Sequence, residues 1–201
     1  MRPVAIDATT LSILLNPRTG MPLDPATKAP VEFGRERILG FVAQMEKDRR
    51  KLIIPTPAIA ELLTAIGPTS ADYIRIVNRK AVFEVRSFDE VAAVELAFLN
   101  RDLFASLDRK GGLEPWQKMK VDRQILAIAK VANCEKILTE DDGLANRARL
   151  CDIEPIRIAD LSVPETAKQG ELQLEDHEEL PADEQGEGSG DSDADPKPDA
   201  D

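Results

Sequence analysis

The sequence predicts an α/β protein, a parallel sheet covered by helices, and three features carry that prediction. Short apolar runs alternate with longer segments of helical period up to about residue 163. Two of those runs, at residues 4–6 and 136–139, lead straight into acids, the residues that commonly start the next helix. Forty-two per cent hydrophobic residues over 201 positions supply one ordinary core and a surplus, not two cores. No internal repeat is visible.

Val4 to Ile6 forms a minimal strand. After Asp7 a helix runs through Leu11, Leu14 and Leu15 and stops near Asn16-Pro17, because proline disfavours helical geometry in the residue before it. Residues 17–31 hold four prolines and one glycine and read as a long loop, functional or mobile. From about Val31 to Lys47, Phe33, Ile38, Phe41, Val42 and Met45 recur mostly every three or four residues, so a helix packs there by one face. Leu52 to Ile54 is the second strand. Thr56 can then cap a helix that Pro57 opens, since the first helical residue needs no amide donor. Ser87-Phe88-Asp89-Glu90 fits a capping box and starts a helix through Val91, Val94 and Phe98 toward Leu103. Gly111-Gly112 marks a break, and Pro115 to Asn133 carries Val121, Ile125, Ile128 and Ala132 on one stripe. A strand at Lys136 to Thr139, a short helix through Leu144 and Ala148, and a strand near Ile153 to Ile158 complete the body.

The formal net charge of -11 is unevenly placed: residues 166–201 hold 13 Asp and Glu against 2 Lys, whereas residues 1–165 hold 24 acidic and 24 basic residues. The body at 1–165 is neutral, and the tail at 166–201 is expected to be disordered, having almost nothing to bury. Acidity therefore does not exclude a nucleic-acid partner for the body. Aromatics at 4% do make a stacking ladder for bases improbable, so a nucleic acid would be gripped by its backbone. Cys134, Cys151 and the single His177 cannot assemble a zinc site or a histidine triad. No stretch has the length of a signal or membrane segment, and the expectation is a reduced, cytoplasmic protein with no membrane partner.

Asp7 and Asp141 each stand beyond a strand, at the carboxyl edge where open parallel sheets bind ligands. Each also has a plain alternative, Asp7 as a helix cap and Asp141 as an exposed turn carboxylate between Glu140 and Asp142. Glu61 is the only charged residue between Pro57 and Ile66 and has small, uncharged neighbours. Asp122 borders the stripe of Ile125, Leu126 and Ala129, where an unpaired charge would cost several kcal/mol, roughly, so something compensates it. A salt bridge to Lys118 or Arg123 is one solution. A cation is the other: four carboxylates at one edge do not all stay ionised without one, and hard oxygen donors point to Mg2+ or Mn2+. Such an ion polarises phosphate and lowers the pKa of a bound water, which suits phosphodiester hydrolysis without histidine. Lys118, Lys120 and Arg123 around Asp122, and Arg147 and Arg149 beyond Asp141, are the basic residues available to a phosphate backbone.

VAIDATTLSILL, IPTPAIAELL, VDRQILAIA and ILTEDDGL follow one another in the order and approximate spacing of the acidic motifs of PIN-domain nucleases, and IEPIRIADLSVP resembles their last strand and tail. The similarity spans residues 3–164. What the resemblance implies is a parallel five-stranded sheet sandwiched by helices, with Asp7, Glu61, Asp122 and Asp141 as metal ligands and catalytic residues. Thr9 and Thr139 would be the supporting hydroxyls and Asp142 an outer ligand. The family cleaves RNA with magnesium or manganese, and its small bacterial members are commonly VapC-like toxins held by an antitoxin. The partners so implied are an RNA substrate, an antitoxin protein and a second copy in a homodimer. Thr9 departs from the Asn or Ser often found at its position, and the loop at 17–31 and the tail make the chain longer than a compact toxin.

Two other readings compete. A phosphatase of the haloacid-dehalogenase type would use Asp7 as nucleophile and Asp141-Asp142 for magnesium, but it wants a second Asp where Thr9 stands and leaves Glu61 and Asp122 unexplained. A catalytically silent binding module would have no reason to keep four carboxylates.

Overall fold

A computed structural model describes residues 2–67, 70–104 and 116–167. The Gly111-Gly112 break, and the tail from residue 168 with its expected disorder, lie outside the described residues. Five strands, β1 (Val4–Ile6), β2 (Leu52–Pro55), β3 (Phe83–Arg86), β4 (Lys136–Leu138) and β5 (Glu154–Ile156), form one all-parallel sheet in the order β3-β2-β1-β4-β5. Helices α1 (Ala8–Leu15), α2 (Gly34–Lys47), α3 (Thr56–Ile66), α4 (Ser70–Arg79), α5 (Glu90–Leu99), α6 (Trp116–Val131) and α7 (Asp142–Leu150) flank it. A π-helical turn, Asn100–Phe104, prolongs α5, and a 3-10 turn, Ile158–Asp160, follows β5.

Because strand side chains alternate, the sheet divides the core in two. Val4, Ile6, Leu52, Ile54 and Leu138 face α1, α2 and α4, where Leu11, Ile38, Val42, Met45 and Val77 are buried. Ala5, Ile53 and Ile137 face the other way, against Ile125, Ile128, Leu144 and Ala148 of α6 and α7. Helix α3 contributes Ala58 to one cluster and Leu62 to the other, which places it across the ends of the strands. The chain runs from central β1 outward through β2 to β3, then returns to β4 on the opposite side of β1. This reversal opens a crevice at the carboxyl ends of β1 and β4.

The structure departs from the sequence reading at two helix starts, where Asp89 instead of Ser87 caps α5 by accepting the Ala92 amide at 2.9 Å and Thr56 accepts the Phe88 amide instead of capping α3, and in three elements. β3 and α4 were not located by the residue pattern, although the resemblance implied a fifth strand: Glu84 and Arg86 give the edge strand β3 a half-exposed pattern, and the two side chains pair at 2.5 Å. The second difference concerns α5: the Val91, Val94 and Phe98 that marked the helix are turned to solvent, with Val91 61% and Val94 57% exposed, while Ala92 and Leu99 are buried. α5 is apolar almost all round, and Ala92 and Leu99, with Leu96 partly buried, join the cluster formed by Ile125 and Ile128 of α6. Third, α2 begins at Gly34, after Phe33 in the left-handed region (φ 53°), so Phe33 ends the loop instead of lying on the helix stripe. The body is closed by Arg37, whose guanidinium donates to the Ala159 carbonyl at 3.1 Å and to that of Leu161. No helix among the described residues is long and apolar enough to cross a membrane.

Candidate functional site

Asp7 leaves β1 directly and is buried, only 4% exposed. Its position is fixed twice: Oδ1 accepts the Thr10 amide at 2.7 Å as the N-cap of α1, and Oδ2 accepts the Thr139 hydroxyl at 2.5 Å. Thr139, itself buried just past β4, also accepts the Asp141 amide at 3.1 Å, so one hydroxyl ties the two strand-end aspartates together. Asp141 caps α7, with Oδ1 accepting the Leu144 amide at 2.7 Å, and its Oδ2 forms an ion pair with Lys118 of α6. Both aspartates are thus helix caps that also border the cavity, and Asp141 is a half-buried cap instead of the exposed turn carboxylate of its plain alternative.

Asp122 lies on α6, 6% exposed, and its Oδ2 meets the Arg147 guanidinium of α7 at 2.6 Å. The bridge anticipated from neighbouring residues comes instead from 25 positions along the chain. Arg147 is therefore spent inside the fold and does not face a phosphate backbone. Arg123, another basic candidate, is buried too, donating to Asn100 Oδ1 at 3.0 Å and lying against the Met119 sulfur. Lys120 is exposed outside the cavity lining. Of the three basic residues expected on the substrate, Lys118 alone lines the cavity.

That cavity has a volume of about 410 Å³ and collects Asp7, Glu61, Asp122, Asp141 and Lys118. Thr9, Ser12 and Thr19 add hydroxyls to its wall, the last two 2.9 Å apart. Thr9 faces solvent; it is Thr10, through its amide, that holds Asp7. Ser12 and Thr19 were not singled out in the sequence, although Thr19 belongs to the long loop whose length was the available signal. Glu61 stands exposed at the mouth and also borders a second, more open cavity of about 700 Å³ between α3 and α6. Asp142 is exposed and engaged by Arg157, away from the cavity lining. Glu140, unassigned from sequence, accepts the Ile158 amide at 2.7 Å and so fixes the turn after β5.

The electrostatics follow from this placement. Burial raises the Asp7 carboxyl above the ordinary range, against the Thr139 and Thr10 hydrogen bonds. Loss of water, then the charges of Asp122 and Asp7, raise Glu61. Burial raises Asp122 although Arg147 opposes it. Burial also works on Asp141, but Lys118, the Leu144 amide and Arg147 outweigh it and hold that carboxyl below its usual value. Both cysteines are free and buried, Cys134 pushed up to about 12 and Cys151 to about 11, which makes them inert packing residues.

No family model matches the chain, and no curated protein matches it. Among solved structures, a DNA-bound VapBC complex from Salmonella typhimurium is similar, 18% identical over 79% of this chain and 99% of that chain, with a TM-score of 0.47.

Four carboxylates bordering one cavity, with no sulfur or imidazole donor, fit magnesium or manganese in the chemistry of the donors. Among the described residues, however, no three acids form a group that could hold a metal ion. Each of three acids is engaged within the fold, Asp7 by Thr139, Asp122 by Arg147 and Asp141 by Lys118.

Proposed function

We propose that the chain is a divalent-metal-dependent endoribonuclease of the PIN-domain type, hydrolysing RNA phosphodiesters at the crevice between β1 and β4. The observation that carries this reading is that Asp7, Glu61, Asp122 and Asp141, far apart in sequence, border a single cavity there. Asp7, Glu61, Asp122 and Asp141 would hold Mg2+ or Mn2+, which supplies Lewis-acid polarisation of the scissile phosphate and lowers the pKa of water. The chain's own contributions are distinct. Thr139 orients Asp7 and Asp141 with respect to each other; Ser12, Thr9 and Thr19 offer hydroxyls to phosphate oxygens; Lys118 supplies a positive charge beside the acids. The raised carboxyls of Asp7 and Glu61 lose their protons when a cation takes their place, so binding releases protons and strengthens as pH rises. An antitoxin that restrains the site and a homodimer belong to the same reading through the PIN-domain motifs, and the chain would act in the cytoplasm.

The test is a calorimetric titration of Mg2+ and Mn2+ into wild type and Asp7→Asn, with the same samples assayed on a labelled single-stranded RNA. Wild type is expected to bind and cleave, and the variant to lose both. Cleavage that survives in Asp7→Asn, or a wild type that binds neither ion, overturns the reading; the second result would leave a silent binding module.

A further inference from the structure

At the edge of the sheet opposite the crevice, where β1, β2 and β3 begin, exposed cations gather: Arg2 before β1, Lys47 and Arg49 before β2, and Arg79 and Lys80 before β3. Their neighbours hold the row together. Arg50 donates to the Arg2 carbonyl at 2.7 Å and pairs with Glu135, and Lys51 donates to the Ala81 carbonyl at 2.6 Å, so the three strand starts stand side by side. None of the exposed cations meets a carboxylate among the described residues. Of the acids nearby, Glu135 is taken by Arg50 and Asp48 accepts the Gln44 amide at 2.9 Å, which leaves Glu46. Cations in the last turns of α2 and α4 offset the carbonyl ends of those helices, but that effect fades within a turn and does not account for Arg2.

The chain that leaves the sheet is aimed at this edge. Past β5 it runs along α2, with Ile158 beside Gly34 and Pro164 beside Gly40, where a side chain would start 2.6 Å from Pro164 Cγ. Arg37 fastens the stretch between them through the Ala159 and Leu161 carbonyls. Lys47 stands seven residues beyond Gly40, two turns on along the same face of α2 and about 10 Å away. Residues 168–201, outside the described residues, hold 13 Asp and Glu against 2 Lys, and the first of these acids is Glu171. Four residues of extended chain past residue 167 span about 14 Å, enough to bring Glu171 to that edge.

We propose that the acidic segment at 168–201 docks, by charge, on the basic edge formed by Arg2, Lys47, Arg49, Arg79 and Lys80. Tethering makes the encounter intramolecular, so contacts too weak to hold a free peptide suffice. The docked segment covers a surface that would otherwise draw a nucleic-acid backbone, on the side of the sheet away from the crevice. This role goes beyond the nuclease reading and does not depend on it.

The experiment attaches a nitroxide to the full chain through Ala182→Cys, within the acidic run, and reads backbone amide signals by nuclear magnetic resonance; Cys134 and Cys151 are buried and stay unlabelled. The amides of Arg2, Lys47, Arg49, Arg79 and Lys80 are expected to lose intensity at low salt and to regain it at about 1 M salt, where the screening length falls to about 3 Å. Lys47→Gln, Arg49→Gln and Lys80→Gln combined, with the fold checked by thermal melting, are expected to restore the same signals at low salt. Signals lost at Thr19 and Lys118 on the cavity instead, no signal lost anywhere, or a loss that neither salt nor the triple variant reverses overturns the inference. So does a loss that appears on unlabelled chains mixed with labelled ones, which places the segment on a second copy. An edge that takes up added single-stranded RNA while the nitroxide quenches nothing belongs to nucleic acid, and overturns the inference as well.

Discussion

Asp7 and Asp122 are both acids buried at the same cavity, yet the fold treats them differently. Asp122 meets a guanidinium from another helix at 2.6 Å, while Asp7 meets one hydroxyl and one amide and no cation. Asp122 is thus compensated by the protein itself, and Asp7 is where charge is left over for something from outside. The difference separates an acid whose loss damages the fold from an acid whose charge strains it.

Removing the Asp122 charge breaks that comparison most forcefully. Asp122→Asn leaves Arg147 charged and buried, and should lower stability by about 3–5 kcal/mol in urea denaturation. Adding Arg147→Met to the same chain should recover most of that loss, and a double variant no better than the single one would show that Asp122 is not held in this way. Next in size is Thr139→Val, which removes the donor to Asp7 and the acceptor for the Asp141 amide; a loss of about 1–3 kcal/mol is expected from the same measurement. Asp7→Asn should act in the opposite direction, raising the melting temperature of the metal-free protein at neutral pH by an amount corresponding to about 1 kcal/mol. A lower melting temperature would place Asp7 with Asp122 as a structural acid.

The smallest effect is on pH dependence. Asp7, Glu61 and Asp122 have folded pKa values above their unfolded ones, so the folded state binds more protons, and the stability they contribute at low pH is lost as pH rises through the raised values. Asp141 is lowered and works the other way, its contribution disappearing as pH falls through its folded value. Burial raises Glu140 as well, and Arg101 lowers the exposed Asp102, so among the described residues four raised carboxyls against two lowered ones predict a net decline of metal-free stability from about pH 4 toward pH 7, the window above the ordinary carboxyl range. Urea midpoints across that window check this, and the decline should be shallower in Asp7→Asn.

The sequence made the strand-end acids legible because their positions follow from local pattern: an apolar run, then an acid, then a helix. The same logic could not find the partner of Asp122. Helical spacing offers only neighbours three or four residues away, and Arg147 arrives through the packing of α7 on α6. Edge strand β3 stayed hidden for a related reason, since two of its four residues are charged and its pairing with β2 is non-local. Five strands were expected from the resemblance, whereas the residue pattern alone yielded four. For α5, the sequence places valines and alanines on every side, so periodicity identifies the helix but not which face meets α6.

The double duty of Asp7 and Asp141 as helix caps has a practical consequence for watching the molecule in solution. The amides of Thr10 and Leu144 donate to the very carboxylates that border the cavity. Whatever draws electron density from those oxygens must shift the nuclear resonances of two backbone protons, each attached to the first turn of a different helix. The protein thus carries two internal gauges, one for each strand end, readable without any added label.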